Sequence, residues 1–195
     1  MSDDADIERA AEAIRDGDLV VYPTETVYGL GADALNDEAV ERVFEAKRRS
    51  RDDPVSLAVP DVEAALRHVR ATDREQRFMR EFLPGPVTVV CEKREAVPDA
   101  LTSGRDRVGV RVPDHDLALA LLRAVAPVTA TSANVSGRPS ATHLSGLDPE
   151  VRAAAAVVLD GGETGGTGST VVNVESGEIH RRGPNADAVA AWLRD

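Results

Sequence analysis

The stretch LVVYPTETVYGLG, residues 19–31, decides the fold class. Its first four residues, Leu19 to Tyr22, form the short apolar run that is typical of a buried strand. The residues that follow include two threonines, a glutamate, a tyrosine and two glycines, a composition that indicates a loop. Open α/β sheets place their ligands where buried strands end in such polar loops. A plain strand-to-helix connection fits the same residues equally well.

Helices and strands alternate on both sides of this stretch. Apolar residues recur at helical spacing over residues 7–14, and Gly17 ends the pattern. We predict further helices over residues 36–47, 72–82, 116–125, 185–193 and from 148 onward, and further strands over residues 56–59, 87–91, 108–112, 128–130, 156–159, 169–174 and 179–181. The last two strands read as a hairpin, which makes the sheet mixed. The sequence predicts a single α/β domain, residues 1–195, with a twisted mixed sheet flanked by helices.

Acidic residues dominate the charge of the chain. There are 34 Asp and Glu against 23 Lys and Arg, which gives a formal net charge of −11. Such a surface repels phosphate backbones, so general nucleic-acid binding is disfavoured, although a local cationic pocket could still hold a small anion. Lys47 and Lys93 are the only lysines. Few lysines with many aspartates are typical of a halophilic protein, but a GC-rich genome would also favour arginine.

Cys91 is the only cysteine, so an internal disulfide and every multi-cysteine metal site are excluded. The N-terminal residues are acidic and lack the basic start and apolar run of a signal peptide. No run approaches the roughly 20 apolar residues that span a bilayer. We therefore expect a cytoplasmic protein.

Standard phosphate-binding loops are absent, since the chain contains neither GxxxxGK[ST] nor a GxGxxG after a strand. Four further polar segments nevertheless follow predicted strands or helices, over residues 47–59, 108–115, 131–142 and 159–184. The first clusters cations at a helix end, which the helix dipole alone would also favour. The second places Arg111 in an apolar strand, where it needs either an anionic ligand or a protein carboxylate.

Together these segments resemble the YrdC-like family of L-threonylcarbamoyladenylate synthases, whose fold is of the YrdC/RibB type. The shared motifs are VYPTETVYGLG at residue 21, K-x-R at residue 47, PGPVT at residue 84, VGVRVP at residue 108, TSANVSGRP at residue 131, the glycine-rich loop ending in STV at residue 171, and the arginine-glycine close at residue 182. They run in family order from about Val20 to Gly183. Because the chain ends at Asp195, it resembles the short, single-domain form.

The resemblance also implies roles for individual residues. Those implied to bind threonine are Thr26, Ser132 and Ser169, those implied to bind ATP are Arg49, Asp53, Asn134, Thr142 and Arg181, and those implied to form the charged catalytic core are Lys47, Arg49 and Arg111. Because Lys47 stands at the end of a predicted helix, we expect its charge to be exposed and removable without a defect in the core. No role is assigned to any histidine.

Three positions depart from the family pattern. Ser50 stands where proline is usual, Asp53 where asparagine is usual, and Ala58 where a histidine is often found. Because Arg48 and Arg49 are adjacent, the alignment of the motif arginine is ambiguous by one residue. We assign the nucleotide contact to Arg49.

The implied reaction joins L-threonine, bicarbonate or carbon dioxide, and ATP to give L-threonylcarbamoyl-AMP and pyrophosphate. Mg²⁺ would bridge the phosphate oxygens of ATP. The product would pass to the transferase that modifies tRNA position 37, which in an archaeal cell is the KEOPS assembly. Two alternatives stay open: an RNA-binding module, which the acidic charge and few aromatics disfavour, and a regulator that binds nucleotide without turnover.

Overall fold

The computed structural model describes residues 4–194. Its helices are α1 (Asp4–Arg15), α2 (Asp37–Lys47), α3 (Val62–Ala65), α4 (Asp73–Phe82), α5 (Asp99–Thr102), α6 (Asp116–Ala124), α7 (Pro149–Ala154) and α8 (Ala186–Arg194). Its strands are β1 (Leu19–Tyr22), β2 (Gly29–Gly31), β3 (Ser56–Ala58), β4 (Val69–Arg70), β5 (Val87–Lys93), β6 (Arg107–Arg111), β7 (Val128–Ser132), β8 (Ala155–Val158), β9 (Thr170–Asn173) and β10 (Glu178–Arg181). Residues 1–3 and 195, which the single-domain prediction includes, lie outside the described residues.

The strands of residues 4–194 form one mixed sheet in the order β10-β9-β5-β6-β3-β7-β2-β1-β8, with β4 paired to β5. Strand pairs β1–β8, β3–β6 and β5–β9 are parallel, and the remaining pairs are antiparallel. The predicted α/β architecture with a mixed sheet and flanking helices is confirmed. In the described residues, no helix is both long and apolar enough to cross a membrane.

Side-chain alternation along the central strands separates a core face of the sheet from a polar face. On β6, Val108 and Val110 are buried in the largest hydrophobic cluster, whereas Arg107, Gly109 and Arg111 line a cavity on the opposite face. Successive residues of a strand point to opposite faces, so a single strand contributes side chains both to the hydrophobic core and to the cavity. Helices that include α2 and α4 cover the first face. On the second face α1 and α6 pack against Val20, Tyr22 and Val128, and the part of that face beside them holds the cavity.

The loop predicted after β1 contains a further strand. Residues 29–31 return antiparallel to β1, with Tyr22 paired to Gly29 and Val20 to Gly31. A Cβ on Gly29 would lie 3.0 Å from the Tyr22 ring, and one on Gly31 would lie 2.7 Å from Val128. Glycine therefore makes this close pairing possible, and the absence of side chains hid the strand from the apolar pattern.

The predicted cap residues are found at the starts of α2 and α4. Asn36 accepts hydrogen bonds from the backbone of Glu38 and Ala39, and Thr72 forms the expected capping box with Glu75. The elements α3, α5 and β4 were not predicted, because four or fewer residues are too short to show a period.

Candidate functional site

A cavity of about 560 Å³ occupies the polar face of the sheet. Its walls contain five arginines, Arg49, Arg105, Arg107, Arg111 and Arg181, and no aspartate or glutamate among the described residues. Threonine and serine hydroxyls supply most of the remaining polar lining. In a chain with a net charge of −11, this arrangement concentrates positive potential in one place and suits a small anionic ligand.

Six of the ten residues singled out in the sequence line this cavity: Thr26, Arg49, Arg111, Ser132, Ser169 and Arg181. They come from segments that are far apart in the chain, and the sheet brings them together. Lys47, Asp53, Asn134 and Thr142 do not belong to the lining.

Ser169 and Arg181 are bonded to each other at the β9–β10 side of the cavity. The Arg181 guanidinium donates from Nε to the Ser169 carbonyl at 2.9 Å and from Nη2 to Ser169 Oγ at 3.0 Å. Ser169 Oγ also lies 2.8 Å from Thr88 Oγ1. Burial, followed by the positive charges of Arg111 and Arg49, lowers the pKa of Arg181. Because Arg49, Arg111 and Arg181 all line the same cavity, they can act on one ligand.

Arg111 forms an ion pair with Glu25, in the polar loop that follows β1. A single guanidinium nitrogen, Nη2, donates to both carboxylate oxygens, at 2.8 and 3.0 Å. Of the two partners that the sequence left open for Arg111, the protein carboxylate is present. Arg111 nevertheless lines the cavity, and no hydrogen bond from its Nε or Nη1 is seen in the described part of the chain. It can hold Glu25 with one nitrogen and meet an anion with the others.

Arg49 faces the cavity and Arg48 does not. Arg49 donates from Nε to the carbonyl of Asp53 at 2.9 Å and from Nη2 to that of Pro54 at 3.1 Å. Arg48 adopts a left-handed conformation with φ of 47° as the C-cap of α2, and its guanidinium pairs with Glu150 at 2.5 Å. The structure thus settles which of the two arginines lies at the cavity.

The expectation that Lys47 is exposed was wrong. Its side chain is 1% exposed, and its ammonium donates to the carbonyls of Ser132 and Asn134, the latter at 2.8 Å. Burial, with the charge of Arg49 as a smaller cause, lowers the pKa of Lys47 from 10.5 to about 8. The last turn of α2 packs under the loop after β7, so the terminal lysine points inward. Lys47 is behind the cavity wall.

The other three residues outside the lining make local contacts. The Asn134 amide donates to the carbonyls of Val135 and Arg138, at 2.9 and 2.8 Å. Asp53 accepts at its carbonyl from Arg49 and donates its backbone N–H to the Ser50 carbonyl at 3.1 Å. The Thr142 hydroxyl lies 3.0 Å from Nδ1 of His143. In this structure these side chains do not reach the cavity, so contact with a nucleotide is not part of the geometry described here.

Sequence reasoning missed several lining residues, including Arg105, Arg107, Thr88, Ser140 and His180. Period-two alternation could have found Arg107, because it lies two and four residues before Gly109 and Arg111 on β6. His180, to which no role was given, lies on the edge strand β10. Arg105 precedes β6 and carries no periodic signal.

The fold and cavity define a class of α/β protein in which helices flank a mixed sheet and an arginine-lined cavity opens on one of its faces. A family model for Sua5, YciO and YrdC proteins, described as "Telomere recombination", matches residues 12–183. The chain belongs to this Sua5/YciO/YrdC family.

Named relatives agree with this membership. The chain is 42% identical over 171 residues to the threonylcarbamoyl-AMP synthase of Pyrococcus abyssi, covering 86% of this chain and 50% of that protein. It is 39% identical over 177 residues to the threonylcarbamoyl-AMP synthase of Bacillus subtilis, covering 88% and 51%. The crystal structure of P. abyssi Sua5 complexed with L-threonine superposes with a TM-score of 0.83 at 40% identity, covering 91% and 54%. The chain spans about half the length of these relatives.

Proposed function

We propose that this chain is a threonylcarbamoyl-AMP synthase, an enzyme that makes L-threonylcarbamoyl-AMP from L-threonine, bicarbonate or carbon dioxide, and ATP. The observation that carries the proposal is the cavity, in which six motif residues, three of them arginines, meet two further arginines without a lining carboxylate among the described residues. A relative of this chain has been crystallised with L-threonine, and relatives bear the name of this activity. The substrates and the reaction class suit an arginine-rich, hydroxyl-rich cavity.

In the proposed reaction the threonine amine and bicarbonate give a carbamate and water. A carbamate oxygen then attacks the α-phosphorus of ATP, the bond from that phosphorus to the bridging oxygen breaks, and pyrophosphate leaves with the bond's electron pair. Such a nucleotidyl transfer depends on alignment and on neutralisation of charge more than on a protein base. Arg49, Arg111 and Arg181 would supply that charge, and Thr26 and Ser169 would contact threonine.

Lys47 and Asn134 have a supporting role in this proposal. Lys47 holds the end of β7 at Ser132, and both residues hold the backbone of the loop that follows. Asp53 and Thr142 have no proposed contact with ATP in the conformation described. A side-chain movement on ATP binding would be needed for either to reach it.

Mg²⁺ is included in the proposal as part of MgATP. Within residues 4–194 no group of three or more His, Cys, Asp or Glu side chains could hold a metal ion. The cavity residues therefore fit an ion that is bound mainly by phosphate oxygens and water, and the ion would offset phosphate charge. Passage of the product to the KEOPS assembly for tRNA modification, in the cytoplasm, completes the proposal.

The experiment that tests this function is a pyrophosphate-release assay in which L-threonine, bicarbonate or ATP is omitted in turn. We expect release only with all three, and a product whose mass is that of threonylcarbamoyl-AMP. Nucleotide binding without release would indicate a regulator. Binding of an RNA duplex with no nucleotide binding would indicate an RNA-binding module.

A further inference from the structure

Three of the five arginines in the cavity have no carboxylate partner in the described part of the chain. Arg111 is paired with Glu25, and Arg107 is paired with Glu75 and Glu175. Arg49 and Arg181 bond only to carbonyl and hydroxyl oxygens, and their place in the proposed site follows from family motifs. The third is Arg105, which no motif singles out. Arg105 is exposed to solvent and lines the cavity, so its guanidinium is available to a ligand there.

Arg105 and Arg49 both donate hydrogen bonds to the short loop of residues 52–54. Arg105 donates from Nη2 to the carbonyl of Asp52 at 3.0 Å, and Arg49 donates to the carbonyls of Asp53 and Pro54, the next two residues. Carbonyls of successive residues lie within a few ångströms of one another. The two guanidinium groups are therefore neighbours, and each keeps further N–H groups, Nε and Nη1 of Arg105 and Nη1 of Arg49, for which no partner is seen in residues 4–194.

Strand register places this pair at one end of the cavity. Strand β3 runs parallel to β6 with Leu57 opposite Val110, so Pro54, three residues before Leu57, is level with Arg107. Arg111 is four residues away along the same strand, or about 13 Å. Two separate cationic ends therefore face the cavity, one at Arg111 and the other at the loop of residues 52–54.

Most of the residues implied to bind threonine lie at the Arg111 end of the cavity. Thr26 directly follows Glu25, the partner of Arg111. Ser169 directly precedes Thr170, which pairs with Val87 of β5. The register of β5 against β6 places Val87 one residue past Arg111, on the side away from Arg107. Ser132 lies nearer the loop of residues 52–54, because Ala130 pairs with Ser56. Two of the three implied threonine contacts thus lie away from Arg105.

We propose that Arg105, together with Arg49, binds the β- and γ-phosphates of ATP and the pyrophosphate that leaves. The inference rests on the proposed function and deepens it. In an in-line displacement the entering and leaving oxygens lie on opposite sides of the α-phosphorus. With the carbamate held toward Arg111, the leaving group points toward the loop of residues 52–54. Two adjacent guanidinium groups with free N–H donors match a pyrophosphate, whose oxygens accept several charge-assisted hydrogen bonds.

The test is direct binding of pyrophosphate and of AMP, each with Mg²⁺, to the wild-type chain and to Arg105→Gln by titration calorimetry. Losing a charged hydrogen-bond donor should weaken pyrophosphate binding about tenfold to a hundredfold. AMP lacks the β- and γ-phosphates, so its affinity should change less than about twofold. Arg123→Gln, which removes an exposed arginine from α6, is the matched control and should bind both ligands as the wild type does.

A purely structural role for Arg105 would give another result. If Arg105 only anchors the Asp52 carbonyl, Arg105→Gln should lower the melting temperature and weaken AMP and pyrophosphate alike, and Arg105→Lys should not restore pyrophosphate selectively. That outcome overturns the inference, as does unchanged pyrophosphate binding in Arg105→Gln or an absence of pyrophosphate binding by the wild type. Selective loss in Arg105→Gln with no adenylate formed by the wild type supports the phosphate site while rejecting the proposed function.

Discussion

The ammonium of Lys47 donates a hydrogen bond of 2.8 Å to the backbone carbonyl of Asn134 and a second to that of Ser132. Lys47 ends α2, and the two acceptors belong to the end of β7 and the loop after it. One buried side chain therefore ties a helix to a segment 87 residues away in the sequence. The position of Ser132 in the cavity wall depends on this contact.

Replacement of Lys47 by methionine should destabilise the protein. Methionine fills much of the space but leaves two carbonyls without their donor, at a cost of about 2–4 kcal/mol. For a chain of this size, that corresponds to a fall in melting temperature of roughly 5–15 °C. Circular-dichroism melts measure it. The control is Arg48→Met, which removes an exposed ion pair worth less than about 1 kcal/mol; equal melting temperatures for the two variants would contradict the role of Lys47.

The same lysine should give the unfolding free energy a dependence on pH. Burial holds the pKa of Lys47 at about 8 in the folded chain, against 10.5 for an ordinary lysine. Between these values the unfolded chain binds more protons than the folded one, so the stability that Lys47 contributes rises with pH from about 8 to 10.5. It is lost again as pH falls through 8.

Urea unfolding of the wild type and Lys47→Met at several pH values between 7 and 10.5 measures this dependence. The difference in unfolding free energy between the two chains should grow over that range. Burial raises the pKa of Cys91, Tyr22 and Tyr28, which act in the opposite direction. These groups are common to both chains and cancel in the difference. A difference that stays constant with pH would show that Lys47 keeps an ordinary pKa.

Gly109 forms the floor of the cavity, and a methyl group there should impair ligand binding. An added Cβ would lie 2.2 Å from Ser56 Oγ and 2.9 Å from Thr88 Cγ2. Overpacking of this kind costs about 1–3 kcal/mol of folding stability. Because the neighbours that must shift, Ser56 and Thr88, line the cavity, we also expect Gly109→Ala to weaken ATP binding by about tenfold, or about 1.4 kcal/mol. Gly146→Ala is the control, since its Cβ meets only His143 at 3.7 Å. Unchanged ATP affinity in Gly109→Ala would place the ligand elsewhere.

Ser132→Ala and Asn134→Ala should separate substrate contact from loop support. The Asn134 amide holds two carbonyls of its own loop, at 2.9 and 2.8 Å, so its loss should lower the melting temperature and weaken threonine and ATP together. The Ser132 side chain lines the cavity near the loop of residues 52–54, and its loss should weaken substrate binding with little change in melting temperature. Titration of both substrates against both variants, with parallel melts, decides the matter. A selective loss of ATP in Asn134→Ala would instead favour direct contact with the nucleotide.

Salt should affect stability and ATP affinity in opposite directions. The net charge of −11 makes surface carboxylates repel one another over about 30 Å at 0.01 M salt and about 3 Å at 1 M. We expect the melting temperature to rise with KCl, while screening of the arginine-lined cavity raises the KM for ATP. Circular-dichroism melts and initial rates from dilute buffer to 2 M KCl measure both. If the melting temperature does not change with KCl, the surface is not halophilic. The preference for arginine over lysine would then be explained by genome composition.

The sequence by itself determined the sheet and its helices, because those features depend on local patterns. Apolar runs such as Leu19–Tyr22 and caps such as Asn36 act within a few residues, and the structure contains the elements they predicted. The strand at residues 29–31 was missed because glycine carries no side-chain signal. The motif residues that line the cavity were also identifiable in the sequence, since they occur in short polar segments after strands.

Tertiary structure alone decided which side chains face the ligand cavity. Lys47 and Arg49 are two residues apart, yet the left-handed C-cap at Arg48 turns the chain so that the lysine is buried behind the wall and the arginine lies in it. Arg105 has no periodic or motif signal and is placed beside Arg49 only because β3 and β6 are neighbours in the sheet. Contacts between residues this distant depend on strand order and register, which local sequence patterns do not specify.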